Sequence, residues 1–215
     1  MSSFTDFIIK NKVIGFFDEP VTLASGRSSS FYVNWRTICE DVALFDELTE
    51  HVLRFIVQNN LHPDCFYGVP EGGTKLGLFI QYFYAKGQRD FKTRPYTLAM
   101  GRGKPKERGP TKDRLFLGHP SGSIILIEDV ATTGDSLLKT IDALKEDSSI
   151  SIDGVLILTD RMQKRDDNKS VKEAIEERGI KYYSMSNARE LLEIIFHQDR
   201  NIEEQLMIKI LKEFE

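Results

Sequence analysis

Five short apolar runs constrain what this chain can become: CFYGVP (65–70), RPYTLAM (94–100), SIILIEDV (123–130), GVLILTD (154–160) and KYYSMS (181–186). Runs this short, bounded by Gly, Pro and polar residues, read as strands, and the most continuously apolar of them suit strands covered on both faces. Between them lie stretches with helical recurrence, from the segment after 70 through about 86, over 134–146 and near 168–178. Strand alternating with helix predicts an α/β fold, a mostly parallel twisted sheet with helices on both faces. Residues 41–59 add a helix on which Leu44, Leu48, Val52 and Phe55 recur, and NARELLEII starts another with Asn187 as its N-cap. Ahead of the alternation, 3–12 reads as a short amphipathic helix and 19–38 as a hairpin ending in FYVNW; residues 1–40 thus form a small N-terminal α/β hood. The C-terminal NIEEQLMIKILKEFE reads as a helix. A length of 215 residues fits one domain over 1–215.

In such sheets ligands bind beyond the carboxyl ends of the strands. That rule gathers the loops 70–74, 101–114, 130–136 and 160–168 on one rim. The connection 101–122 is long for a compact domain, and loops of this length are usually mobile lids, binding loops or disordered. From Arg102 to Arg114 it carries six basic and two acidic residues, a local +4 that leaves −8 for the rest of a chain of net charge −4. Positive charge confined to one Gly- and Pro-rich loop points to a small polyanion. The acidic remainder disfavours nucleic acid as a partner, and no apolar run is long enough to span a bilayer. The N-terminus has no basic leader followed by a long apolar core, so no secretion signal is read and the cytoplasm is the expected compartment. Cys39 and Cys65 lack metal-ligand spacing and read as reduced core thiols.

The segment ILIEDVATTGDS (125–136) ends a buried strand in two carboxylates and then turns through small residues into a helix. The first amides of a helix have no intrahelical acceptor and lie at the positive end of its dipole. Small residues at Thr132, Thr133, Gly134, Asp135 and Ser136 let a phosphate approach them. Glu128 and Asp129 suit sugar hydroxyls or the water shell of Mg²⁺. Together they describe a sugar-phosphate site. The G-x-x-x-x-G-K-[ST] loop of nucleoside triphosphatases is absent.

IEDVATTGDS resembles the 5-phosphoribosyl 1-pyrophosphate (PRPP) motif of the phosphoribosyltransferases, and an ordered set of further segments resembles the orotate phosphoribosyltransferases in particular. ASGRSSSFYVNWR (24–36) is similar to their segment against the pyrimidine, GVPEGGTKLG (68–77) to their pyrophosphate turn, RGKPKERG (102–109) to their catalytic loop, and TDR (159–161) to the strand end whose arginine binds orotate. The resemblance covers nearly the whole chain. It implies transfer of phosphoribosyl from PRPP to orotate, giving orotidine 5′-monophosphate and pyrophosphate in pyrimidine biosynthesis, with Mg²⁺. It further implies a homodimer whose loops reach into each other's sites. Carried over, it makes Lys106, Arg102 and Asp129 catalytic. PRPP falls to Glu128 through Ser136, including Val130 and Ala131, with Arg102, Lys104, Lys106, Arg108, Glu71 and Gly72. Orotate falls to Tyr32, Val33, Thr132 and Arg161. No side chain binds metal directly; Glu128 and Asp129 do so through water. The chain departs from the pattern at Ala24, where many relatives have lysine, and at Gly103, Arg108 and Asp135.

Each residue also has a plainer reading. Glu128 and Asp129 could be a solvated strand end, Thr132 to Gly134 a capped turn, and the basic loop a solvated linker. Arg161 could pair with Asp160, Asp166 or Asp167 at the surface, and Trp35 is expected in the core. His62, His119 and His197 are expected to face solvent. Two other functions compete: transfer to a different base, which would have little use for Arg161, and a PRPP-sensing regulator, which would have little use for Lys106.

Overall fold

The structure is a computed structural model that describes residues 3–23, 25–104, 106–199 and 202–214. Ala24, one of the departures from the family pattern, lies outside the described residues. The chain opens with helix α1 (Phe4–Lys10), started by a capping box in which Ser3 and Asp6 satisfy each other's backbone N–H. An antiparallel hairpin follows, β1 (Ile14–Thr22) with β2 (Ser28–Val33), pairing Gly15 with Tyr32 and Ile14 with Val33. The hairpin begins earlier than the expected residue 19, because Ile14 to Phe16 continue the pairing with Phe31 to Val33. Helix α2 (Val42–Gln58) takes its N-cap from Asp41, whose carboxylate accepts from the Leu44 N–H at 2.9 Å.

The central sheet is built from β3 (Cys65–Gly68), β4 (Met100–Gly101), β5 (Phe116–Leu117), β6 (Gly122–Ala131), β7 (Ile150–Asp160) and β8 (Lys181–Ser184), in the order β5-β4-β3-β6-β7-β8. All neighbours are parallel except β4 and β5. The helices that connect or flank these strands are α3 (Thr74–Lys86), α4 (Thr111–Leu115), α5 (Asp135–Lys145), α6 (Val171–Glu176), α7 (Ala188–Gln198) and α8 (Glu204–Leu211). Alternation along β6 divides the core. Ile125 and Ile127 face one cluster with the hairpin, α2, α3 and α7, while Ile124 and Leu126 face the other with α5 and α6.

Three further elements differ from the sequence reading. RPYTLAM is a strand only at its last residue, Met100, which opposes Gly68; Pro95 has no N–H to give a ladder, and residues 95–99 run unpaired along the sheet edge. The connection after β4 is not bare loop, since α4 and β5 form within it and Leu117 pairs back to Met100. The helix near 168–178 shortens to α6 because Asn168 has φ +63°, outside helical space, and Ser170 is the N-cap. Trp35 is fully buried, stacked on Phe4, with its indole N–H donating to Thr159 Oγ1 at 3.0 Å. Cys65 is buried and Cys39 half-buried, both free thiols. Among the described residues no helix is long and apolar enough to cross a membrane.

Candidate active site

A cleft of about 470 Å³ opens at the carboxyl ends of the parallel strands. Among the segments that line it are Tyr32 and Val33 from β2, Glu71 and Gly72 after β3, residues of the run Glu128 to Ser136 at the end of β6, and Arg161 after β7. Ala131 is the one member of the 128–136 run that does not line the cleft; it packs into the core at 1% exposure.

The turn after β3 is pinned by Val69, whose N–H donates to the Ile127 carbonyl at 2.8 Å. This brings Gly72 against the acid pair: a Cβ there would stand 2.7 Å from Asp129 Oδ1. Any larger residue there would have to push the Asp129 carboxylate aside. Glu128 is 8% exposed, and burial, reinforced by the neighbouring Asp129 charge, pushes its carboxyl up to about 8. Burial also raises Asp129, opposed by the Val130 N–H on its Oδ1 at 2.9 Å and by the positive charge of Arg36. Two acids held this close without a cation are costly, so the site favours positive charge or donor hydroxyls beside them.

Gly134 turns the chain into α5 in the left-handed region, φ +70°, where a Cβ would meet Val171 Cγ1 at 2.7 Å. No side chain caps α5, so its first amides remain open toward the cleft. Asp135, an acid in a phosphate-type loop, has its carboxylate tied aside. It accepts from Thr133 Oγ1 at 2.9 Å and pairs with Arg165 Nη1 at 3.3 Å, and the same Arg165 nitrogen holds the Thr133 carbonyl.

Arg161 is 1% exposed and not a surface ion pair. Asp166 pairs instead with Arg27, Asp167 with Arg165, and Asp160 accepts from Tyr182 Oη at 2.7 Å. Burial pulls Arg161 down to about 10, and its guanidinium lies over the Phe31 ring at 3.8 Å. Arg102 and Lys104 border a second recess of about 490 Å³ that adjoins the cleft through Pro70 and Glu71. Lys106 and Arg108 are exposed and line neither recess. Their loop is folded on itself, the Lys106 N–H donating to the Arg114 carbonyl and Arg114 Nε to the Lys106 carbonyl, each at 2.9 Å.

Residues not singled out in sequence also reach the site. Arg36 and Lys139 line the cleft, and Lys75 borders the second recess. Arg36 ends the FYVNWR run, and Lys139 lies one turn along α5 from Ser136, a position that helical spacing could have flagged. His119 is partly buried and pairs with Asp147 at 2.9 Å, away from the cleft lining.

No protein-family model matches the chain. An orotate phosphoribosyltransferase of Aquifex aeolicus is 30% identical over 186 residues, 86% of this chain and 94% of the relative. The chain belongs to the orotate phosphoribosyltransferase family. A second such enzyme, from Rhodopseudomonas palustris, is 32% identical over 193 residues, covering 86% of this chain and 92% of its own. The fold agrees: the solved orotate phosphoribosyltransferase of Francisella tularensis superposes with a TM-score of 0.69 over 97% of this chain and 96% of that one, at 23% identity.

Proposed function

We propose that this cleft transfers phosphoribosyl from PRPP to orotate, forming orotidine 5′-monophosphate and pyrophosphate. The observation that carries the assignment of residues is the convergence of Tyr32, Arg161, the Glu128–Asp129 pair and the 132–136 loop on one cleft. A phosphate fits the open amides of α5 at Thr132 to Ser136, and the ribose hydroxyls then fall beside Glu128 and Asp129. At the other end Arg161 meets the orotate carboxylate, with Tyr32 and Val33 against the ring. The bond from the ribose C1 to pyrophosphate breaks as the bond to the pyrimidine nitrogen forms, that nitrogen gives up its proton to solvent or to the departing pyrophosphate, and the ribose gains cationic character on the way, so no covalent nucleophile is needed. Catalysis is therefore positioning and charge neutralisation. Arg102 and Lys104 border the recess beside Glu71, and Lys106 and Arg108 complete the pyrophosphate end when loop 101–118 closes over the neighbouring subunit's site.

Mg²⁺ fits the donor set. Glu128 and Asp129 line the cleft and supply oxygen, the donor type of an ion that keeps several waters. When bound, it supplies positive charge to the leaving pyrophosphate. The chain acts as a homodimer in the cytoplasm, with Lys106 serving the neighbour's site. Support for the dimer comes from the exposed apolar residues Phe79 and Tyr82 on α3 and from Lys106, which is exposed and does not line its own cleft.

The test is loss of orotate absorbance with PRPP and Mg²⁺, beside Lys106→Ala. Turnover by the parent and a fall of about 10²-fold or more in the variant is the expected result. A parent that binds PRPP yet consumes no orotate refutes the base assignment. Equal turnover in the variant removes Lys106 from the mechanism.

A further inference from the structure

The buried cation at the base end of the cleft has a partner from the far end of the chain. Arg161 spends three donors on the protein: Nε on Gln163 Oε1 at 3.1 Å, Nη1 on the Phe31 carbonyl at 3.3 Å and Nη2 on Ser29 Oγ at 2.8 Å. Behind these acceptors sits Glu213, in the turn of 3-10 helix Lys212–Phe214 that follows α8. Its carboxylate accepts from the Ser30 N–H at 2.7 Å, from Ser29 Oγ at 2.6 Å and from Gln163 Nε2 at 3.3 Å, and stands 3.5 Å from Arg161 Nη2. Phe214 stacks on Phe31 at 5.9 Å and Ile210 is fully buried, so the turn is anchored on both sides.

The polarity of this network follows from Glu213. A serine hydroxyl has one proton to give, and a charged acceptor takes it in preference to the neutral Phe31 carbonyl at 2.8 Å. Ser29 is thereby left to accept from Arg161. The Gln163 amide likewise turns its nitrogen to Glu213 and its oxygen to Arg161 Nε. An uncharged residue at 213 would return the Ser29 proton to the Phe31 carbonyl, leaving Ser29 an acceptor still, but it would free the Gln163 amide to flip, and a flipped Gln163 would present a donor to a guanidinium that can only donate.

We propose that Glu213 is a positioning residue of the base site, fixing Gln163 as an acceptor and tying Ser29 in place so that Arg161 holds its remaining edge toward the cleft. The proposal rests on the assignment of Arg161 to the orotate carboxylate. It brings the C-terminal turn into base recognition.

The test is steady-state kinetics of Glu213→Ala, Glu213→Gln, Arg161→Met and the Arg161→Met/Glu213→Ala double variant, with orotate and PRPP varied separately and Tm measured for each. Glu213→Gln keeps the shape of the side chain and serves where the alanine variant fails to fold. The expected result is a fall of about ten-fold in kcat/KM for orotate in either Glu213 variant, with the PRPP KM within about two-fold of the parent. In the Arg161→Met background the Glu213 change should have little further effect, because its action runs through Arg161. Orotate kinetics unchanged in both Glu213 variants overturn the proposal. So do orotate and PRPP constants that fall together with Tm, or effects that add fully in the double variant. If Arg161→Met itself leaves orotate kinetics unchanged, the assignment of Arg161 fails first and the proposal falls with it.

Discussion

Removing Arg165 should weaken PRPP binding through a charge that Arg165 now holds aside. Asp135 stands in the phosphate loop with its side chain 57% exposed, paired to Arg165 Nη1 at 3.3 Å and to the Thr133 hydroxyl at 2.9 Å. In Arg165→Ala the carboxylate loses its cation and is free to turn toward the amides that a phosphate would use. Two unit charges about 4 Å apart interact by about 1 kcal/mol in water, and a phosphate carries close to two, so the repulsion is about 1–2 kcal/mol. That corresponds to a rise of about ten-fold in the PRPP KM. The assay is PRPP saturation at fixed orotate, at low and high salt, since screening should shrink the effect. The control is Asp135→Ser in the Arg165→Ala background, which removes the offending charge and should return the PRPP KM toward the parent value. Arg165 also holds the Thr133 carbonyl. If that contact were the source of the effect, the second substitution would restore nothing. An unchanged PRPP KM in Arg165→Ala, or a failure of Asp135→Ser to reverse it, refutes the reasoning.

Gly72→Ala places a methyl 2.7 Å from Asp129 Oδ1; displacing that carboxylate should lower kcat/KM for PRPP by about 10²-fold while Tm barely moves, and an unaffected kcat/KM would show that Asp129 tolerates the shift. Tyr182→Phe removes the donor at 2.7 Å from Asp160, whose carboxyl is raised by burial and lowered in part by that bond. A raised carboxyl loses stability as pH climbs through its folded pKa, and without the tyrosine the loss deepens; the variant should therefore be destabilised by about 1–3 kcal/mol once Asp160 is ionised and by less in acid, read as Tm against pH. Mixing Lys106→Ala with Asp129→Asn subunits should regain about a quarter of parent activity if loops serve the neighbouring site, because half the dimers are mixed and each has one intact site. No recovery after verified subunit exchange would place Lys106 in its own subunit's site.

What could be read from sequence follows the range of the forces involved. β6 and β7 were legible because their apolar runs are buried on both faces, and the 132–136 loop because acids and small residues are consecutive there. The start of β7 was not, since Ser151 and Asp153 alternate outward in a segment whose pairing partner, Gly122 to Ile124, is remote in sequence. β5 was hidden for the same reason: two residues, Phe116 and Leu117, become a strand only because Met100 and Gly101 lie alongside. At the site the same division decides which charges could be interpreted. The Asp135 carboxylate looked misplaced in its own segment, and its compensating cation lies 30 residues away on another loop. Arg161 appeared to have three nearby aspartates to choose from, yet its partner is Glu213, whose bond to Ser29 spans 184 residues. Those aspartates lose because each already has a nearer donor: Arg27 for Asp166, Arg165 for Asp167 and Tyr182 for Asp160. A buried guanidinium cannot reach out to solvent-facing acids without exposing the hydrogen bonds that Phe31, Ser29 and Gln163 give it, so its counter-charge has to come in from an element packed against β2, and the C-terminal turn is that element.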